Sequence, residues 1–331
     1  MENKSNISAE DFEYSREVIR KLSGYFENKV VGQQHLKFSL IAAIISDGHI
    51  LVESVPGLAK TTAAKAISDA VDGKFSRIQC TPDLLPGDIV GTQIYNQATG
   101  RFETILGPVF ANFILLDEVN RSSAKTQSAM LEAMQEKQVT IGGETYRMPE
   151  DIFIVIATQN PIEQEGTYPL SEAQKDRFLI KEVITYPTAA EEVEILNRIE
   201  TGVISRVDPP VLSIADINRV QDIAEQVYVD DAIKWYISGI VVASRRACRN
   251  PEYEMGRFIN AGASPRASIA FLKMAKAAAL MDGRTYVIPE DVKAVRNQVL
   301  RHRIGLNYSA VVDNVTVEMV IDGIVNSVKT P

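Results

Sequence analysis

HILVESVPGLAKTT, residues 49–62, decides the fold. The apolar run Ile50, Leu51, Val52 leads into a loop with Pro56 and Gly57, then Lys60, Thr61 and Thr62, then a helix-like stretch at 63–71. A strand that stops in a tight loop before a helix turns backbone N–H groups and the helix's partial positive end toward one point, where an anion binds. Lys60 adds a positive charge there, and Thr61 offers a hydroxyl to Mg²⁺. The pattern G-x-x-x-x-G-K-[ST] asks for glycine at 54 and 59, where this chain has Ser54 and Ala59. On these residues alone a solvated lysine near a helix start reads equally well, so the flanking sequence has to decide.

The chain has 331 residues, 45% of them hydrophobic, enough for one large domain or two ordinary ones with real cores. A net charge of −8 argues against a broad nucleic-acid surface. Cys80 and Cys248 lie far apart and, with three scattered histidines, form neither a zinc spacing nor a disulfide framework. The first residues, MENKSNISAEDF, lack a signal-peptide pattern, and no apolar run approaches the roughly 18 residues of a membrane helix. A cytoplasmic protein with no membrane insertion is expected.

Outward from the loop, residues 8–30 read as a helix with Ser8 as N-cap, followed by VVGQ at 30–33 and a second helix at 35–46. FSRIQC, 75–80, is a second strand. Residues 81–112 carry three prolines and four glycines and read as an insertion holding a hairpin around Ala98–Gly100. FILLDEVNR, 113–121, is a buried-type strand ending in two carboxylates, followed by a helix at 124–136. QVTIGGETYRM, 138–148, is a second hairpin around Gly142-Gly143, and 152–161 and 178–187 are further strands. Apolar strands alternating with helices predict an α/β fold with a parallel sheet covered on both faces, and ligands at the carboxyl ends of its strands. After Pro187 the strands stop. Capping boxes at Thr188/Glu191 and Ser213/Asp216, Ser264-Pro265 before a helix to Met281, and Pro289 before a helix over 290–302 predict a small all-helical domain at 188–331.

Three strand-end features give the loop its context. Asp117 leaves a buried strand facing the cleft and can hold Mg²⁺, while Glu118 can orient or deprotonate an attacking water; the plainer reading is a solvated acidic pair. Asn160 ends the next strand, where an amide holds water by both donating and accepting, although Asn-Pro is commonly just a turn. Arg177, just before the last strand, can neutralise developing charge on a transferring phosphoryl group or simply pair with Asp176.

The ordered set VVGQ, SVPGLAKTT, FILLDEVNR, ATQNP, SEAQKDRF and GASPRA resembles the MoxR family of AAA+ ATPases over nearly the whole chain. The resemblance implies a P-loop αβα sandwich at 1–187, with the insert 81–112 and the hairpin 138–148 facing the ring axis or a partner, and a helical lid at 188–331. It implies ATP and Mg²⁺ as cofactors: Pro56, Gly57, Leu58, Ala59, Lys60, Thr61 and Thr62 around the phosphates, Thr61 and Asp117 on the metal, Val31, Gly32 and Gln33 near adenine. Glu118 and Asp117 would be the Walker B pair, Asn160 the first sensor, Arg177 the finger and Arg266 the second sensor. Ala59 is ordinary for the family. Ser54 replaces its usual glycine, and a left-handed backbone there would be mildly strained. Arg121 is either an interface arginine or a local pair. The implied activity is a chaperone-like, Mg-dependent ATPase working as a homo-oligomeric ring of six on von Willebrand A domain proteins, its lid moving against its core. Two rivals stand beside it: a nucleic-acid motor using Arg245, Arg246, Arg249, Arg296, Arg301 and Arg303, and an ATP-gated scaffold that Ser54 makes a poor hydrolase. A small-molecule kinase would leave the finger and both insertions unexplained.

Overall fold

Residues 6–55, 57–149, 151–161, 166–204, 206, 208–247 and 254–331 are described by a computed structural model. The first helix, α1 (Ala9–Lys29), is capped as its sequence predicts, the Ser8 hydroxyl accepting from the Asp11 amide at 3.0 Å. Then follow α2 (Gln34–Ile45), β1 (Ile50–Glu53), α3 (Lys60–Ala70) and β2 (Phe75–Gln79). The first insertion folds as α4 (Pro86–Val90) and the antiparallel pair β3 (Gly91–Asn96) and β4 (Arg101–Leu106). Beyond it run β5 (Phe113–Asp117), α5 (Ala124–Glu136), the second hairpin β6 (Gln138–Ile141) and β7 (Glu144–Arg147), β8 (Ile154–Gln159), α6 (Glu172–Lys175) and β9 (Ile180–Val183).

Strands β2, β5, β8, β1 and β9 form one parallel sheet in that order. All five residues of β5 are buried, as a strand covered on both faces requires. Ile50 and Val52 enter one apolar cluster and Leu51 another on the opposite face, the alternation expected of successive strand residues. The two hairpins touch: the Tyr146 hydroxyl donates to Thr104 Oγ1 at 3.0 Å, and a Cβ on Gly142 would fall 2.0 Å from Gln93.

The C-terminal part comprises α7 (Ala189–Glu200), α8 (Ile214–Glu225), α9 (Asp231–Ala247), β10 (Ile259–Ala261), α10 (Pro265–Met281), α11 (Pro289–Ala294), α12 (Arg296–Leu300), β11 (Gly305–Leu306), α13 (Tyr308–Val312) and α14 (Val317–Ser327). It departs twice from the expectation. β10 and β11 pair as an antiparallel ribbon within a domain expected to be all helical. The helix expected over 290–302 breaks at Val295 (φ −97°, ψ 3°), which frees Arg296 to donate to Asp322 and to the Lys293 carbonyl, both at 2.6 Å. Helices α8 to α10 and α14 share a single apolar cluster with α1, α2 and α3, so the helical domain docks on one covered face of the sheet.

His49 stands at the foot of β1, mostly buried against Phe153, its Nδ1 accepting from the Val155 amide and its Nε2 donating to the Met134 carbonyl, each at 3.1 Å. Burial pushes its pKa down to about 4. The unfolded chain, with a histidine pKa of about 6.5, takes up a proton that the folded chain refuses. The stability held by neutral His49 is therefore whole above about pH 6.5 and is lost as pH falls toward 4, about 2 kcal/mol after allowing for the ring's partial solvent contact. The urea midpoint is expected to fall across this window. His49→Gln should flatten the slope without abolishing it, because buried His302 is depressed in the same direction.

Candidate active site at the carboxyl ends of the strands

The loop after β1 is shaped by its backbone. Ser54 extends the strand, its amide donating to the Gln159 carbonyl at 3.2 Å and its buried hydroxyl to the Val55 carbonyl at 3.0 Å. It is not among the residues with positive φ, so the strain expected there is absent. The left-handed positions are Gly57 (φ 84°) and Ala59 (φ 52°). Ala59 is the N-cap of α3, which begins at Lys60 rather than at residue 63, and no side chain accepts from its first amides. Those amides and the helix N-terminus suit an anion. Leu58 is buried and pins the loop, while Lys60 lies half-buried above Leu36, Leu40, Ile156 and Ile184 with no hydrogen-bond or carboxylate partner among the described residues. Pro56 lies outside the described residues. The strain therefore sits at Ala59. Ala59→Gly is expected to stabilise the fold by about 0.5–1 kcal/mol. Ser54→Gly is expected to cost about 1 kcal/mol, since it removes a buried hydroxyl bond without relieving any strain; denaturation midpoints of the two variants check both statements.

Asp117 is buried at the tip of β5, and Thr158 on β8 joins it to Glu118: the Thr158 hydroxyl donates to Asp117 Oδ1 at 2.6 Å and accepts from the Glu118 amide at 2.9 Å. Glu118 has a left-handed backbone (φ 56°), an uncommon conformation that clusters at functional positions. Its Oε2 accepts from Gln79 Nε2 at 3.1 Å and from Arg121 Nη1 at 3.2 Å, so Arg121 faces a carboxylate of its own chain. Arg77 on β2 donates to Asp117 Oδ2 at 2.7 Å. Thr158, Arg77 and Gln79 were not expected from the sequence; Thr158 is the first polar residue after the apolar run Ile154–Ala157 of β8. Asn160 is buried beside this group, its carbonyl accepting from Asn120 Nδ2 at 3.4 Å.

The turn Val31-Gly32-Gln33 reaches the same end of the sheet. Gln33 Nε2 donates to the Thr185 carbonyl at 3.0 Å, just beyond β9, and the next-door Ile184 amide donates to the Glu53 carbonyl at 2.9 Å. Gly32 (φ 66°) approaches α7 so closely that a Cβ would lie 2.2 Å from Glu191 Oε1. Thus 31–33, 57–62, Asp117, Glu118 and Asn160 lie together at the carboxyl end of the sheet.

Arg177 and Arg266 do not join them. Ile50 of β1 lies beside Ile180 of β9 and Glu53 beside Val183, so Arg177, which precedes β9, is at the foot of strands whose tops carry the loop. The strands there are about 13 Å long, beyond an arginine's reach. Arg177 is exposed and, among the described residues, its side chain donates to the Leu131 carbonyl at 3.5 Å; Asp176 binds Arg303 and Ser264 instead, at 2.8 and 2.7 Å. The Ser264–Asp176 bond brings exposed Arg266, at the start of α10, to the same foot. Of the arginines a nucleic-acid motor would use, Arg296 pairs with Asp322, Arg301 with Glu182 and Glu318 and Arg303 with Asp176, Arg245 and Arg246 are exposed at the end of α9, and Arg249 lies outside the described residues.

Comparison with known proteins matches residues 49–180 to the ATPase family associated with various cellular activities (AAA) and residues 254–324 to the AAA lid domain. Chaperone MoxR1 of Mycobacterium tuberculosis is 47% identical over 91% of this chain and 79% of its own length. Protein MoxR of Methylorubrum extorquens is 28% identical over 84% of each chain. The crystal structure of a candidate ATPase from Cytophaga hutchinsonii superposes with a TM-score of 0.89 at 43% identity, covering 97% of both chains.

Proposed function

This chain belongs to the MoxR family of AAA+ ATPases, and we propose that it is a working, Mg²⁺-dependent motor whose catalytic sites are shared between neighbouring copies in a cytoplasmic ring, six by family resemblance. Lys60 and the first amides of α3 hold the phosphates, Val31, Gly32 and Gln33 flank the base, and Thr61 and Asp117 hold the metal, which neutralises charge on the phosphates when bound. The residues suit that role: among the described residues no side chain accepts from the first amides of α3 or from Lys60, and Asp117 is held by Thr158 on one oxygen and by Arg77 on the other. Glu118 takes the proton of the attacking water and Asn160 orients it.

The observation that carries the shared site is the separation of Arg177 from the cleft of its own chain. A finger that cannot reach its own phosphates serves a neighbour's, and such a head-to-tail contact closes into a ring. The output is chaperone-like remodelling, the activity in the name of the mycobacterial relative, acting on von Willebrand A domain proteins. The test is a pull-down with Glu118→Gln held in ATP. Retention of such proteins with ATP and their loss with ADP supports the reading; DNA-stimulated turnover without any retained protein would replace it with the nucleic-acid motor.

A further inference from the structure

The run Arg301-His302-Arg303, between α12 and β11, turns its last two side chains inward. The guanidinium of Arg303 is buried against the turn 176–179, which leads from α6 into β9. Its Nε donates to the Asp176 carboxylate at 2.8 Å, its Nη2 to the carbonyls of Phe178 and Asp176 at 2.6 and 3.4 Å, and its Nη1 to those of Leu179 and Val299 at 3.0 and 2.6 Å. All five N–H donors of the group are engaged, four of them on residues flanking Arg177. His302 Nε2 donates to the same Phe178 carbonyl at 3.2 Å, and Arg301 lies 3.5 Å from Glu182 on β9. The Phe178 side chain is wholly buried, and the Leu179 amide donates to the His49 carbonyl at 2.8 Å. The second oxygen of Asp176 accepts from the Ser264 hydroxyl at 2.7 Å, which in turn accepts from the Arg266 amide at 3.1 Å, so one carboxylate ties the turn to the start of α10.

We infer that Arg303, with its counter-ion Asp176, is the positioning residue for Arg177: it fixes the main chain on both sides of Arg177 and fastens it to the C-terminal helices, so that the exposed side chain leaves the surface from one set place. The inference rests on the shared-site reading and adds to it what aims the arginine. Among the described residues the Arg177 side chain makes one long bond, to the Leu131 carbonyl, so its direction is set by the main chain that carries it. A group that has to meet a transferring phosphoryl gains from such a base, since a misplacement of about 1 Å costs on the order of a hundredfold in rate. The residue at 303 has to be arginine. Its planar fork reaches a carboxylate and the carbonyls of 176, 178 and 179 at once, whereas a lysine carries three donors on a single nitrogen. Because the clamp comes from the C-terminal part and Asp176 also holds Ser264, Arg177 and Arg266 move as one unit with that part.

Arg303→Lys keeps the charge but cannot hold the turn, and Asp176→Asn keeps the shape but weakens the clamp; the second variant decides the matter if the first does not fold. Each is expected to bind ATP as wild type does, because no cleft residue is altered, and to turn it over about tenfold to a hundredfold more slowly. Complementation separates misaimed Arg177 from a general defect. Mixed with Glu118→Gln, which supplies a sound Arg177, either variant should gain turnover over both components. Mixed with Arg177→Ala, which lacks the same thing, it should gain none. Wild-type turnover in the folded variants would overturn the inference. So would the absence of a gain with Glu118→Gln, which marks damage to the variant's own cleft, or a gain with Arg177→Ala, which shows that its Arg177 still works. Wild-type turnover in Arg177→Ala, or no gain when Arg177→Ala is mixed with Glu118→Gln, would instead remove the shared-site reading beneath the inference.

Discussion

Glu118→Gln is expected to bind ATP about as tightly as wild type and to turn it over at least about a hundredfold more slowly. General-base catalysis contributes typically 10²–10⁴ in rate, and an amide cannot take the proton. The substitution preserves shape, and the contacts that place the residue survive it in part: the main chain stays tied to Thr158, and Arg121 can still donate to the amide oxygen. None of the phosphate-facing groups is altered, which is why binding and turnover should separate. Nucleotide titration beside single-turnover hydrolysis measures both; a variant hydrolysing at the wild-type rate would remove Glu118 from the chemistry.

The second large effect concerns Arg177. Its replacement by alanine is expected to slow hydrolysis by roughly 10³, the lower range for loss of an arginine finger, with little effect on stability, since among the described residues its side chain makes one long bond to the Leu131 carbonyl and no ion pair. Arg177→Lys should recover little, because a lysine lacks the planar, forked donor set. The decisive measurement is complementation. Arg177→Ala retains Glu118, Glu118→Gln retains Arg177, and a mixture of these two slow variants should hydrolyse faster than either alone, at interfaces where each supplies what the other lacks. No gain on mixing would mean that the arginine acts elsewhere.

The sheet was legible because strands buried on both faces read as uninterrupted apolar runs, and both hairpins because their glycine turns punctuate alternating segments. Capping boxes placed the starts of α7 and α8 to the residue. What the sequence hid were features set by tertiary context. Ser54 looked like the strained position because a pattern expects glycine there, whereas the left-handed backbone falls on Ala59, and φ is not written in a residue's identity. The break at Val295 sets Arg296 against Asp322, a partner far along the chain. Lys60, Asp117, Glu118 and Asn160 were visible as a set because each follows or ends a buried strand. Thr158 was not, since its role exists only when β5 and β8 lie side by side.

The apolar cluster common to the sheet's helices and the C-terminal helices carries a mechanical consequence. Swinging the helical domain away from α1 and α2 would wet side chains such as Leu40, Ile41, Phe271 and Met274, on the order of 10 kcal/mol at about 1.5–3 kcal/mol apiece. A chain held this way resists opening between its two parts, so that in the ring proposed above the give would fall at the borders between copies.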